Sequence, residues 1–134
     1  MPLEGQQLKP REVALLLWNA GWKDADNLMT MVAVAMAESA LFTEAWNLNT
    51  NGSHDWGLYQ LNDGGKTGVE LEKFQAMAFD PVKATAWARE MYVSRKFQPW
   101  VAYANKSWEK YIIQATTGVA NMLRLKHGVK TLIP

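Results

Sequence analysis

Apolar residues recur at helical spacing near the start of the chain. Val13, Leu16 and Leu17 form one stripe within the segment from Pro10 to Ala20. Proline is favoured in the first turn of a helix, and glycine is favoured just past its end, where Gly21 stands. The pattern therefore predicts a helix over 10–20.

The next segment is apolar on almost every side. From Leu28 to Ala37 the run is interrupted only by Thr30, and it is closed by Glu38. An all-round apolar helix is one that is buried. Because Asp24 and Asp26 are both suitable caps, the sequence predicts a buried helix from about residue 24 or 26 to about residue 40.

A polar, turn-forming stretch follows at 47–53, and alternation over Trp56–Leu61 then predicts a short strand. Asp63-Gly64-Gly65 ends that strand. This part of the chain is expected to be a small β-hairpin region.

The remaining chain again has helical character. Helices are predicted over 69–79, over 81–97 with Asp80 as its cap, and over 107–116, while the tail from Thr117 is ambiguous. Mostly helical structure beside one hairpin predicts an α+β fold. A length of 134 residues predicts a single domain over 1–134.

Composition and charge exclude several classes of function. The chain has no cysteine, so a disulfide framework and a zinc–thiolate site are excluded, and its two histidines do not predict a metal site or cofactor. The net charge of +1 argues against a nucleic-acid partner. However, residues 1–79 carry 5 basic and 10 acidic side chains, whereas residues 80–134 carry 9 and 3. A basic half favours an anionic polymer such as a cell wall, and scattered solvated charges are the alternative.

Two carboxylates are the candidates for catalysis. Glu38 ends the most apolar helix, where burial and the helix dipole both raise a carboxyl pKa, as a general acid requires. The alternative is a glutamate that simply reaches solvent past the helix end. Asp55 lies 17 residues later in polar surroundings. Two acids in unlike environments are what glycoside hydrolysis needs, although acid pairs at arbitrary spacing are common.

Three consecutive motifs surround these acids. They are Glu38-Ser39, the turn Asn47-Leu48-Asn49-Thr50-Asn51-Gly52-Ser53-His54-Asp55 and the segment Gly57-Leu58-Tyr59-Gln60-Leu61-Asn62. Together they resemble the active-site segment of C-type lysozymes, and they are similar to the lytic transglycosylases of secretion systems and phage tails. Pro99-Trp100-Val101-Ala102-Tyr103 resembles a further segment of the same superfamily, so the resemblance covers about residues 20–112.

The resemblance implies a lysozyme-like fold and a role for each matching residue. Glu38 is implied as the general acid and Asp55 as the second carboxylate. Ser39 and Gln60 would hold the catalytic region by hydrogen bonds, and Trp100 would keep water from Glu38. The residues implied to line the sugar cleft are Asn49, Asn62 and Tyr103.

The function implied is that of a peptidoglycan glycosidase that cleaves the β-1,4 bond between N-acetylmuramic acid and N-acetylglucosamine. One alternative is a lytic transglycosylase that leaves 1,6-anhydro ends, and another is a non-catalytic wall-binding or phage-tail module. The expected partner is the peptidoglycan strand, acted on by a monomer without membrane insertion. Because no secretory signal or membrane span is visible, we expect a phage endolysin or virion-associated lysin that works at the bacterial wall.

Overall fold

The structure, a computed structural model, describes residues 2–134. This part of the chain consists of helices and one small antiparallel sheet. The helices are α1 (Pro10–Asn19), α2 (Ala25–Ser39), α3 (Gly68–Phe79), α4 (Pro81–Arg95), α5 (Val101–Ala104) and α6 (Ile112–Lys126), with a 3-10 helix at Glu109–Tyr111. The strands, which are adjacent in this order, are β1 (Trp46–Leu48), β2 (His54–Trp56) and β3 (Leu61–Asn62). The predicted α+β, mostly helical fold is confirmed.

Helix α2 forms the centre of the core, as its apolar pattern predicts. Leu28 and all residues of 31–35 have no exposed surface. Helices α1 and α6 pack against α2 and against each other. Each fully buried leucine, valine or methionine side chain stabilises the fold by about 1.5 to 3 kcal/mol, so α2 is held firmly in place. Its C-terminal end is therefore a rigid support for Glu38.

Two aspartates cap helices as expected. The Asp24 carboxylate accepts a hydrogen bond from the Asn27 backbone N–H at 3.0 Å, which selects Asp24 over Asp26 as the cap of α2. Asp80 accepts from the backbone N–H groups of Val82 and Lys83, both at 3.0 Å. These local signals explain why the starts of α2 and α4 are predicted closely.

The structure corrects the predicted strand and the C-terminal helices. No single strand runs over 56–61, because β2 ends at Trp56 and the chain turns through 57–60 before β3. Helix α4 ends at Arg95, where Lys96 takes a positive φ of 55°. The helix predicted over 107–116 begins later, at Ile112, and continues to Lys126 through the ambiguous tail.

Both terminal segments are tied to the fold by hydrogen bonds. The Leu8 N–H donates to the Leu41 carbonyl at 2.9 Å, and Gln7 pairs with Phe42 in an isolated antiparallel bridge. At the other end, the Asn121 side chain donates to the Ile133 carbonyl and accepts from its N–H, at 2.9 and 2.7 Å. Within residues 2–134, no helix is long and apolar enough to cross a membrane.

Candidate active site

Glu38 and Asp55 line the same cavity, which has a volume of about 200 Å³. One wall consists of the end of α2, the strands β2 and β3 and the turn between them, which contribute the two acids together with Gln60 and Asn62. The other wall consists of the end of α4, the segment after it and the start of α5, and its lining residues are Met91, Arg95 and 98–101. The predicted pair of acids therefore shares one cleft.

Glu38 occupies an environment that favours its neutral form. Burial raises the pKa of this carboxyl from 4.5 to about 7, a backbone hydrogen bond from Ala102 opposes the increase, and the negative charge of Asp55 adds to it. The Ala102 N–H donates to Glu38 Oε1 at 3.1 Å. A carboxyl with this pKa is protonated below about pH 7 and can act as a general acid there.

Trp100 is the side chain that joins the two walls. Its indole Nε1 donates to the Tyr59 carbonyl at 3.0 Å, and its ring is 2% exposed and lines the cavity beside Glu38. Because Trp100 directly precedes α5, this bond also fixes the Ala102 N–H that contacts Glu38. That Trp100 keeps water from Glu38 stays a prediction.

Asp55 has polar partners instead. It lies on β2, where its register partners are Asn47 on β1 and Asn62 on β3. Asn62 Nδ2 donates to Asp55 Oδ1 and to Ser53 Oγ, both at 2.9 Å. The side chain is partly exposed to the cleft. Asp55 therefore has an amide donor on one oxygen and access to solvent, which distinguishes its surroundings from those of Glu38.

The turn before Asp55 is organised around Ser53. The Ser53 hydroxyl donates to Asn51 Oδ1 at 2.7 Å and accepts from Asn49 Nδ2 at 3.1 Å. Asn49 thus faces the turn and is not among the residues lining the cavity. Its predicted contact with sugar stays a prediction.

Ser39 and Gln60 both hydrogen-bond to the backbone near the cleft. Ser39 is fully buried and lies outside the lining of the cavity, and its hydroxyl donates to the Ala35 carbonyl and accepts from the Leu41 N–H, both at 3.1 Å. Gln60 lines the cavity, and its amide donates to the carbonyls of Ala45 and Gly57 at 3.1 and 3.0 Å. That the two residues hold the catalytic region in place stays a prediction.

Tyr103 lies outside the lining of the cavity. Its ring stacks on Phe97 at 4.6 Å and on Trp108 at 5.8 Å, centroid to centroid, and the residue is 38% exposed. An exposed aromatic platform suits a longer sugar chain, and a role in binding stays a prediction.

Sequence reasoning missed Asp63, which is fully buried beneath the sheet. Its carboxylate accepts from His54 Nδ1 and Trp56 Nε1, each at 3.1 Å, and from the backbone N–H groups of His54 and Gly65 at 3.2 and 2.8 Å. Burial opposes ionisation, but these donors outweigh it and lower the pKa of Asp63 below its ordinary value. Since His54 and Trp56 flank Asp55 on β2, Asp63 fixes the strand that carries Asp55. The Asp-x-Gly spacing typical of a side-chain-closed turn was the available signal.

Metal chemistry has no evident site in the described chain. Within residues 2–134, no group of three or more histidine, aspartate or glutamate side chains converges so as to hold a metal ion.

An α+β fold with two carboxylates of unlike environment in one cleft defines a class of lysozyme-like domains. A family model described as "Lysozyme like domain" matches residues 15–102, which is well over half of the chain, and the chain belongs to that family. The lysozyme of Bombyx mori is 32% identical over 89 residues, and that of Antheraea mylitta is 33% identical over 90. Each alignment covers 60% of this chain, and it spans 65% of the Bombyx protein and 75% of the Antheraea protein.

Proposed function

We propose that this chain is a peptidoglycan glycosidase that cleaves the β-1,4 bond between N-acetylmuramic acid and N-acetylglucosamine. The observation that carries the proposal is the presence of Glu38 and Asp55 in one cavity, with burial raising the pKa of Glu38 to about 7. Family membership and the names of the two relatives support the same conclusion. We propose one catalytic domain, residues 1–134.

In this mechanism, Glu38 transfers its proton to the glycosidic oxygen as the bond from that oxygen to the anomeric carbon breaks. The Ala102 N–H, already bonded to Oε1, then stabilises the carboxylate that forms. Asp55 stabilises the positive charge on the sugar or captures it covalently. Water adds its oxygen to the anomeric carbon, which breaks the bond to Asp55 where one has formed, and it returns a proton to Glu38.

A lytic transglycosylase is the second candidate, because a glutamate with a pKa near 7 can serve first as acid and then as base. In that reaction, the 6-hydroxyl of the muramic residue attacks the anomeric carbon in place of water. Its product ends are 1,6-anhydro sugars, which are lighter than reducing ends by one water.

Mass spectrometry of purified walls digested with the protein separates these reactions. Reducing muramic ends support the hydrolase, and anhydro ends support the transglycosylase. A parallel digest with Glu38→Gln, a near-isosteric variant, tests the third possibility of a wall-binding module without catalysis. If neither the parent protein nor Glu38→Gln released any glycan product, the result would support that module and refute the glycosidase proposal.

The biological setting proposed is a phage or bacterial lysin that acts at the bacterial wall. The absence of cysteine from the chain supports it, since animal C-type lysozymes are stabilised by disulfides.

A further inference from the structure

Three cationic side chains lie in the C-terminal part of α4 and just after it, and they have different partners. The Arg89 guanidinium lies 5.1 Å from the Trp22 ring centre and 5.5 Å from that of Tyr92. Lys96 Nζ lies 5.3 Å from the Tyr92 ring on the same side. Arg95, which is the last residue of α4, instead lines the cavity with Glu38 and Asp55.

Within residues 2–134, Arg95 has no carboxylate partner. In the described part of the chain, the one side-chain ion pair within 4 Å joins His54 to Asp63. Asp55 takes its hydrogen bond from Asn62. Arg95 is exposed and lines the same cavity as these acids. The guanidinium is therefore available to a ligand in the cleft.

A cation at this point changes which glycans the cleft can accept. With Glu38 neutral, Asp55 is the remaining negative charge among the cavity-lining side chains, and it repels any carboxylate carried by a substrate. The Arg95 guanidinium lines the same cavity and offsets that repulsion. Its planar fork also matches a carboxylate in a bidentate pair, which an ammonium group cannot reproduce.

We propose that Arg95 is a specificity-determining residue that binds a carboxylate of the glycan near the cleaved bond. The inference rests on the proposed function and adds a substrate preference to it. The cleft then favours β-1,4 glycans that bear carboxylates over neutral polymers of N-acetylglucosamine. The carboxylate belongs either to the lactyl group of muramic acid or to the peptide attached there.

Arg95→Gln tests this role, with Lys96→Gln as the matched control. Both variants remove one positive charge from adjacent positions, but Lys96 lies outside the cavity. We expect Arg95→Gln to lower kcat/KM on wall glycan about tenfold to hundredfold, mainly through KM, and to leave cleavage of chitohexaose within about twofold. Lys96→Gln should match the parent protein on both substrates. Arg95→Lys should lie between the two, because it retains charge without the fork.

Two wall substrates identify the source of the carboxylate. Strands freed of peptide by an amidase expose the lactyl carboxylate, whereas intact strands carry peptide carboxylates instead. An Arg95→Gln defect seen only with peptide-free strands assigns the lactyl group, and one seen only with intact strands assigns the peptide. Either result supports the proposal.

Binding measured without turnover separates this inference from the proposed function. In a Glu38→Gln background, adding Arg95→Gln should lower the affinity for at least one of the two kinds of strand, peptide-free or intact, and should leave the affinity for chitohexaose unchanged. Unchanged affinity for both kinds of strand, or an equal loss with chitohexaose, overturns the role of Arg95. An Arg95-dependent affinity in a protein that releases no glycan product would keep this inference and refute the glycosidase proposal.

Discussion

Replacing Glu38 with glutamine should abolish cleavage and should also stabilise the folded protein at neutral and alkaline pH. Glutamine has nearly the same shape as glutamate, and its Oε1 can still accept the hydrogen bond from the Ala102 N–H. It has no proton of suitable acidity, so the loss of general acid catalysis should lower the rate at least about 10²- to 10⁴-fold. The loss of cleavage follows from the missing acidic proton, and the stabilisation follows from the removal of a buried ionisable group.

The size of the stabilisation follows from the pKa of Glu38. The ordinary value is 4.5, and burial raises it to about 7 in the folded protein. Between these values the folded state retains a proton that the unfolded chain has lost, so the free energy of unfolding falls as pH rises through this window. Above it the loss is constant. A pKa difference of about 2.5 corresponds to about 3 kcal/mol, which the glutamine variant does not lose.

Thermal unfolding followed by circular dichroism from about pH 4 to about pH 8 measures the difference in stability between the two proteins. At this chain length, 1 kcal/mol shifts Tm by about 3 to 4 °C. As pH rises through the window, the Tm of the variant should therefore come to exceed that of the parent protein by roughly 10 °C. Glu90→Gln, which changes an exposed glutamate outside the cavity, is the matched control and should follow the parent protein. Clearing of a cell-wall suspension supplies the activity measurement.

Parallel curves of Tm against pH for Glu38→Gln and the parent protein would refute the reasoning about burial. Retention of more than about a tenth of the activity would refute the assignment of Glu38 as the acid, since a positioned general acid contributes far more than that. Because the readouts are independent, each error can be identified separately.

Three further substitutions test other residues that form or support the candidate active site. Trp100→Ala should admit water and lower the pKa of Glu38, so the basic limb of the pH–activity profile should move to lower pH. It should also lower the free energy of unfolding by about 3 to 5 kcal/mol. An unmoved limb would make Trp100 a core residue only. Asp55→Asn should nearly abolish hydrolysis, whereas activity within about tenfold of the parent, with anhydro products, would favour the transglycosylase. Asp63→Ala should cost about 1 to 3 kcal/mol in urea unfolding because the buried Trp56 Nε1 loses its acceptor. That cost should be constant above about pH 4 and shrink at lower pH, because the pKa of Asp63 is lowered in the folded state; a cost that persists undiminished in acid contradicts an ionised Asp63.

Helices with local signals could be predicted from the sequence, and α6 shows where this fails. Gly118 lies within α6 and suggests a break, yet the helix continues through it. A Cβ at Gly118 would lie 2.6 Å from the Pro10 Cβ and 2.9 Å from the Pro10 carbonyl carbon. The glycine therefore serves a close approach of α1 to α6. That contact joins residues more than a hundred positions apart, and no local pattern reports it.

The sheet and the cleft were predicted only in part, because they too depend on contacts between segments that are distant in sequence. The sequence placed Asp55 in a polar turn region and identified the strand pattern after it, but β1 exists only because Trp46 and Asn47 pair with β2. The wall formed by the end of α4 and the segment after it was not predicted. Arg95 and Gln98 reach the cleft because of how α4 packs, and an exposed cation at a helix end has no pattern of its own in the sequence.

The structure also explains how one carboxyl can be both buried and reactive. Burial alone favours the neutral form of Glu38, while the Ala102 N–H favours the ionised form, and the balance places the pKa at about 7. A stronger donor would lower the pKa and leave too little acid at neutral pH, and the absence of a donor would make proton loss too costly during the reaction. The position of Ala102 depends on the Trp100 bond to the Tyr59 carbonyl, which links α5 to the turn between β2 and β3. Burial, moderated by hydrogen bonds between distant segments, thus sets the acidity of Glu38 in a chain that has no disulfide to hold its cleft.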